Sequence, residues 1–138
     1  TTEIAKHLKI GTHGSTYGGN PLACAVGEAA FDTVNNQVLL DGVKAKAKLY
    51  NAGLQAINEK YHVFSEIRGK GLLIGAVLTD DYQGRAKEFL NAAITEGLMT
   101  LVAGASIIRF APSLVIPNED IIEGLQRFEK AVAKLVSA

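Results

Sequence analysis

A glycine-rich loop with two hydroxyl side chains is the first segment whose composition suggests ligand binding. Residues 11–19 read GTHGSTYGG, with four glycines among nine positions. Glycines expose backbone N–H groups, and Ser15 and Thr16 add hydroxyl donors, so the loop can bind an anion. It lacks the lysine of a nucleoside-triphosphate loop. A purely structural turn before a helix explains the same residues, and the loop taken alone leaves both interpretations open.

Arg109 is the second candidate for binding a ligand. It lies in the segment IIRFAP, between apolar neighbours on both sides. A guanidinium in such surroundings requires an anionic partner, and its planar fork of donors matches a carboxylate. The alternative is an ordinary arginine on an edge strand that faces water. The pattern does not separate these two interpretations.

A second glycine cluster is predicted to be structural. Gly69, Gly71 and Gly75 have the spacing GxGxxxG, and the last of them lies inside an apolar run rather than at the start of a helix. This departs from the dinucleotide-binding fingerprint. We predict a tight turn that leads into a buried strand, with Arg68 beside it holding a neighbouring carbonyl or carboxylate.

No metal site is expected. His7, His13 and His62 have no cysteine or acidic companions at ligand spacing. Cys24 is the only cysteine, which excludes an internal disulfide and favours a reducing compartment, the cytoplasm.

The charge balance argues against nucleic acid and membranes as partners. Fourteen basic residues offset fourteen acidic ones, so no net field steers the chain towards a polyanion. No apolar run approaches the roughly 20 residues that span a bilayer. The chain begins at Thr1 without an initiator methionine, and we expect that it was cut from a longer protein.

The sequence predicts helices and strands on both sides of these candidate residues in the chain. Asn20 and Pro21 are typical of a helix start, and the alanines that follow predict a close-packed helix. Leu72 to Thr79 lacks polar alternation and is predicted to be a strand buried on both faces. Asn118 is predicted to cap the last helix. The further predictions are a helix over 38–61, a strand over 63–67, a helix over 85–96 that stops at Gly97, and strands over 98–102 and 106–111.

Four segments in this order resemble a known enzyme family. They are GTHGSTYGGNPLA, SEIRGKGLLIG, AG-x-x-x-IRFAPSLVI and the closing amphipathic helix. Together they resemble the class III pyridoxal-phosphate-dependent aminotransferases, and within them the branch that acts on acetylornithine or succinylornithine. The resemblance runs nearly from end to end and is most specific at HGSTYGGNP.

The resemblance implies a fold and a division of the chain. It implies the α/β (α+β type) C-terminal small domain of the fold-type I transferases, with a mixed, mostly antiparallel sheet covered by helices. Residues 1–36 are expected to carry the cofactor-phosphate loop and an interdomain helix that belong with a large domain. Residues 37–138 are expected to form the small domain.

The resemblance also implies site residues. Thr16 is expected to reach the phosphate of pyridoxal 5'-phosphate (PLP) in the neighbouring subunit of a homodimer. Ser15 is expected at a substrate-binding position, and Arg109 is expected to hold the substrate carboxylate beside the reacting carbon. The lysine that attaches the cofactor and the aspartate that pairs with its pyridine nitrogen lie upstream in the family. We therefore expect no catalytic residue in this chain.

The implied reaction moves the side-chain amino group of N2-acetyl-L-ornithine to 2-oxoglutarate, which yields glutamate, as a step of arginine biosynthesis. The isolated chain is expected to be inactive. One alternative keeps the fold and changes the substrate to N2-succinylornithine or ornithine. An alternative of another class is a non-catalytic module that binds a phosphate or a protein.

Overall fold

The computed structural model describes residues 1–11 and 14–137, so His13 lies outside the described residues. The chain divides into two compact units, Thr1–Asn36 and Gln37–Ala138, which are called here the N-terminal and C-terminal units. The assignment of residues 1–36 to a larger domain stays a prediction. Of the helices formed by the described residues, none has both the length and the apolar character needed to cross a bilayer.

The N-terminal unit contains a short helix, α1 (Thr2–Ala5), and a longer one, α2 (Pro21–Val34). The predicted start of α2 is confirmed, because the Asn20 side chain caps it and Pro21 occupies the first turn. Its predicted close packing is not found, since no residue of α2 is buried. Among the described residues of this unit, no second long element is present to cover it.

The C-terminal unit is a four-stranded sheet with three long helices. Every strand pairing is antiparallel and the strand order is β1-β2-β4-β3, which agrees with the expected α/β fold with a mostly antiparallel sheet. Apart from a one-turn helix at Asp80–Tyr82, the elements occur in the predicted order. Their bounds are α3 (Gln37–Tyr61), β1 (Phe64–Lys70), β2 (Leu73–Leu78), α4 (Ala86–Thr95), β3 (Leu101–Val102), β4 (Ile107–Phe110) and α5 (Asn118–Val136).

The sheet is buried on one face only. Along β2, Ile74 is 1 % exposed and Ala76 is fully buried, whereas Leu73 on the other face is 59 % exposed. The prediction of a strand buried on both faces is therefore wrong. An uninterrupted apolar run does not reveal that the helices of this unit leave one face of the sheet uncovered. The two sides are called here the core face and the outer face.

The helix ends show how local chemistry sets the boundaries. The predicted end of α4 at Gly97 is confirmed. Gly97 follows the helix with a φ of 74°, a left-handed conformation that glycine adopts without strain. The predicted cap at Asn118 is wrong. Pro117 holds the cap position in an extended conformation, and Asn118 is the first helical residue.

Gly69 is expected to be intolerant of a side chain. Its φ is +148°, and an added Cβ would lie 2.1 Å from the carbonyl oxygen of Leu73 on the paired strand. We expect Gly69→Ala to lower the free energy of unfolding by about 2 kcal/mol, because both the backbone angle and the contact are unfavourable. Urea denaturation followed by circular dichroism measures this change.

Gly42 provides the matched control for Gly69. It lies inside α3, and an added Cβ would meet nothing within 4 Å. Gly42→Ala is expected to raise the free energy of unfolding by up to about 1 kcal/mol through helix propensity. If both alanine variants shifted stability in the same direction by the same amount, the local account of Gly69 would be wrong.

Candidate functional site

The glycine-rich loop leaves its hydroxyl groups on the surface of the N-terminal unit. Ser15, Thr16 and Tyr17 are exposed. The turn is held by two backbone hydrogen bonds, in which Gly18 N–H donates to the Ser15 carbonyl at 3.4 Å and Asn20 N–H to the Tyr17 carbonyl at 3.0 Å. The hydroxyls that were predicted to bind an anion are therefore placed together on one exposed loop.

The start of α2 is not itself an anion site. The Asn20 side-chain oxygen accepts the N–H groups of Leu22 at 3.0 Å and Ala23 at 3.1 Å. The Asn20 carbonyl accepts the N–H of Cys24 at 2.9 Å, and proline at the first helical position has no N–H to donate. The first donors of this helix are thus already used. A phosphate at this loop would depend on the hydroxyls of Ser15 and Thr16 and on loop N–H groups.

Arg109 lies on an interior strand of the C-terminal unit. Its Cα is paired with Gly75 of β2 on one side and with Leu101 of β3 on the other. The alternative of an edge-strand arginine is therefore wrong. The side chain is half-buried, its Nε atom is buried without a hydrogen-bond partner, and it forms no ion pair with any residue that the structure describes. Because Nε has almost no accessible surface, a ligand would bind Arg109 through the terminal guanidinium nitrogens, which form no ion pair with the described residues.

The outer face carries a cleft of about 400 Å³ beside Arg109. Residues directly opposite one another in antiparallel strands share a face, and Arg68, Gly75 and Arg109 form one such row across β1, β2 and β4. The remaining residues that line this outer cleft are Gly69, Lys70, Leu73, Ile74, Ala103 and Ile107. The cleft is therefore an apolar surface with cationic side chains, suited to an organic anion.

A second cleft, also of about 400 Å³, lies on the other side of Arg109, between β3, β4 and α5. Its lining includes Tyr50, Thr100 and Asp120. Thr100 is 4 % exposed, and its hydroxyl oxygen is buried without a hydrogen-bond partner. Arg109 is the residue that the linings of the two clefts share.

Tyr50 is expected to make the C-terminal unit sensitive to alkaline pH. Its ring contacts Phe110 at 5.3 Å between centroids, and burial raises the pKa of Tyr50 from 10.0 to about 12. In the unfolded chain the phenol ionises near its ordinary pKa, so stability is lost as the pH rises from 10 towards about 12. The loss is up to about 1.4 kcal/mol per pH unit.

Urea denaturation at a series of pH values between 9 and 12 measures this effect, with Tyr50→Phe as the comparison. The phenylalanine variant keeps the ring and removes the ionisable group, so its stability should vary less over this range. Equal pH dependence in both proteins would show that Tyr50 is not the group responsible.

The two predicted anion-binding groups belong to different units. Ser15 and Thr16 lie together in the N-terminal unit, and Arg109 lies in the C-terminal unit. Sequence reasoning missed the place of Gly75 and Arg68 in the outer cleft, because it assigned Arg68 only to a neighbouring carbonyl or carboxylate. Arg68 does contact Glu66, at 3.2 Å, but both side chains are more than half exposed. Only the strand register reveals that Arg68 and Arg109 share a row.

The described residues fit part of a PLP site. A phosphate ester requires donors on an accessible loop, which the hydroxyls of Ser15 and Thr16 provide. A substrate carboxylate requires a guanidinium that is not already paired, which Arg109 provides. These groups would bind and orient ligands, and they supply no covalent attachment for the cofactor.

Comparison with known proteins identifies the family of the chain. The family described as aminotransferase class-III matches residues 1–132. The chain is 66 % identical over 138 residues to the acetylornithine aminotransferase of Shewanella oneidensis, covering all of this chain and 34 % of that protein. It is 60 % identical over 136 residues to the succinylornithine transaminase/acetylornithine aminotransferase of Pseudomonas aeruginosa, covering 99 % of this chain and 34 % of that protein. The chain thus spans about a third of the length of these relatives.

Solved structures show the same fold. The crystal structure of N-acetylornithine aminotransferase from Stenotrophomonas maltophilia superposes with a TM-score of 0.80 at 42 % identity, covering 86 % of this chain and 33 % of that one. An ornithine aminotransferase of Toxoplasma gondii, described as having partial occupancy of PLP at its active site, gives a TM-score of 0.74 at 29 % identity. That match covers 99 % of this chain and 33 % of that one. On the sequence match and the shared fold, the chain belongs to the class III aminotransferase family.

Proposed function

We propose that this chain forms part of a PLP-dependent aminotransferase that transfers the side-chain amino group of N2-acetyl-L-ornithine to 2-oxoglutarate, as a step of arginine biosynthesis. The half-buried Arg109, which forms no ion pair with the described residues, carries this proposal, because 2-oxoglutarate presents a carboxylate directly beside the carbonyl carbon that receives the amino group. The names of the relatives, which specify acetylornithine, support the choice of amino donor. We further propose a cytoplasmic homodimer as the working form.

Arg109 would bind and orient the substrate. A guanidinium can hold a carboxylate through two parallel N–H···O bonds, which fixes both its position and its plane. Because β4 is paired on both sides, the backbone that carries Arg109 is held in place before the substrate arrives. Such an arrangement keeps the ordering cost of binding low and favours one substrate orientation.

Thr16 would hold the cofactor phosphate of a neighbouring subunit, and Ser15 would contact the substrate. Bound PLP supplies the electron sink that lets an amino group be exchanged. The chain's own part in that site is to donate hydrogen bonds from the exposed loop to a dianionic phosphate. Asn20 keeps the loop in place, since its side chain fixes the start of α2 directly after it.

The choice of substrate has a defined alternative. One relative is named for both succinylornithine and acetylornithine, and several structural neighbours are ornithine aminotransferases. In all three amino donors the reacting carbon bears no carboxylate, so Arg109 does not distinguish them. A panel of the three donors at equal concentration, each with 2-oxoglutarate, identifies the preferred one by kcat/KM.

A chimeric protein tests the proposal. This chain replaces the matching third of the Shewanella oneidensis acetylornithine aminotransferase, to which it is 66 % identical. We expect the chimera to form glutamate from N-acetylornithine and 2-oxoglutarate at a rate close to that of the parent enzyme. A chimera that is folded and binds PLP but does not transaminate N-acetylornithine would overturn the proposal.

The purified 138-residue chain alone is expected to be inactive. It spans about a third of its relatives, and none of its proposed site residues attaches a cofactor covalently. The measurement is glutamate formation together with the visible absorbance of protein-bound PLP after gel filtration. Either signal from the isolated chain would contradict this expectation.

A further inference from the structure

We infer that Arg68 is a second anion-binding group of the outer cleft, so that the cleft accepts a dicarboxylate with one carboxylate on Arg109 and the other on Arg68. This inference rests on the proposed role of Arg109 and extends it to the second carboxylate of the amino acceptor. It assigns to Arg68 a part in distinguishing dicarboxylates from monocarboxylates.

The strand register places the two arginines at a defined separation. Arg68 is opposite Gly75, and Gly75 is opposite Arg109, so the three residues form a straight row on the outer face. Neighbouring strands lie about 4.8 Å apart, which sets the two arginine Cα atoms about 10 Å apart. Two long side chains that start at this distance can hold the two ends of one short dicarboxylate between them.

The charges around the cleft favour an anion with more than one negative group. Arg68, Lys70 and Arg109 line it, and no acidic residue is among its described lining residues. Arg68 is paired with Glu66 at 3.2 Å, but their side chains are 57 % and 54 % exposed. An exposed ion pair of this kind contributes little, so a ligand carboxylate can replace Glu66 as the partner of Arg68.

Gly75 keeps the space between the two arginines open. Its φ lies outside the left-handed region, so the backbone conformation does not require glycine there. A Cβ at this position would point to the outer face and lie 3.2 Å from Cγ2 of Ile107. Any larger side chain would fill the floor of the cleft between Arg68 and Arg109.

The test is a titration of the 138-residue chain with glutarate and, separately, with butyrate, followed by NMR signals of the arginine Nε–H groups. The two probes differ by one carboxylate at the end of a similar chain. We expect glutarate to bind about two- to fivefold more tightly than butyrate, since an ion pair on an arginine as exposed as Arg68 contributes little. Signals of both Arg68 and Arg109 should shift with glutarate, and only those of Arg109 with butyrate.

Three variants make the assignment specific. Arg68→Gln should remove the preference for glutarate and leave butyrate binding unchanged, and Arg68→Lys should retain part of that preference. Gly75→Ala should weaken glutarate without removing a charge. Lys44→Gln is the control, because it removes one positive charge from the exposed Lys44–Asp41 pair on α3.

Equal affinity of the native chain for glutarate and butyrate would overturn the inference. So would an unchanged preference for glutarate in Arg68→Gln that retains the native circular dichroism spectrum. Because this titration needs neither PLP nor catalysis, it separates the inference from the proposed function. A chimera that fails to transaminate while the chain still prefers glutarate would refute the function alone.

Discussion

Replacing Phe128 with alanine is expected to lower the free energy of unfolding of the C-terminal unit by about 3–5 kcal/mol. Phe128 is fully buried. Its ring stacks on Phe64 at 6.2 Å and meets Phe110 edge-on at 5.1 Å between centroids. The substitution would remove both aromatic contacts and leave a cavity between α5 and the core face of the sheet. Domains of this size have a total stability of only about 5–15 kcal/mol, so the loss is a large fraction.

Urea denaturation of the chain measures the effect of Phe128→Ala, and Ile122→Ala is the matched control. Ile122 lies on the same helix but is 45 % exposed, and its truncation should cost well under half as much. If the two variants lost similar stability, α5 would not be packed as described.

Replacing Arg109 with glutamine is expected to lower kcat/KM for 2-oxoglutarate several hundredfold in the chimeric enzyme. The substitution removes a bidentate, charge-assisted contact and leaves the substrate carboxylate without its partner in a partly buried site, which corresponds to about 3–4 kcal/mol. Steady-state rates of glutamate formation measure this loss. Arg109→Lys keeps the charge and loses the fork, so it should be intermediate.

Lys44→Gln again serves as the control for charge, because Lys44 is exposed on α3 and, among the described residues, its side chain forms an ion pair only with Asp41. Its kcat/KM should equal that of the unmodified chimera. A several-hundredfold loss in Lys44→Gln, or none in Arg109→Gln, would contradict the assignment of Arg109.

The parts of the fold that depend on neighbouring residues in the chain were predictable. Asn20 and Pro21 mark the start of α2 because the capping side chain lies next to the N–H groups that it satisfies. The last helix was predictable from the regular recurrence of its apolar residues. Gly97 marks the end of α4 for a local reason as well, since its left-handed backbone angle favours glycine.

The parts that depend on distant residues were not predictable. The run that forms β2 is equally apolar at Leu73 and Ile74, yet only Ile74 lies on the core face. The alanines of α2 indicated close packing, but burial depends on what covers a helix, and the N-terminal unit offers no such cover among its described residues. β3 is only two residues long, Leu101–Val102, whereas a strand over 98–102 was predicted.

The candidate site shows the same division. Arg109 was identified from its apolar neighbours, and Ser15 and Thr16 from the composition of their loop. The row that joins Arg68, Gly75 and Arg109 depends on the register of three strands that are separated in the chain, which no local pattern contains. The sequence also did not show that the first N–H groups of α2 are bonded to Asn20 and are therefore unavailable to a ligand.

The most direct test of the central claim compares 2-oxoglutarate with succinic semialdehyde, which keeps the carbonyl carbon and the distal carboxylate and lacks the carboxylate beside that carbon. In the chimera with native Arg109, kcat/KM should favour 2-oxoglutarate at least a hundredfold, whereas Arg109→Gln should reduce this preference to within about tenfold. The same preference in both proteins would contradict the claim that Arg109 holds the substrate carboxylate.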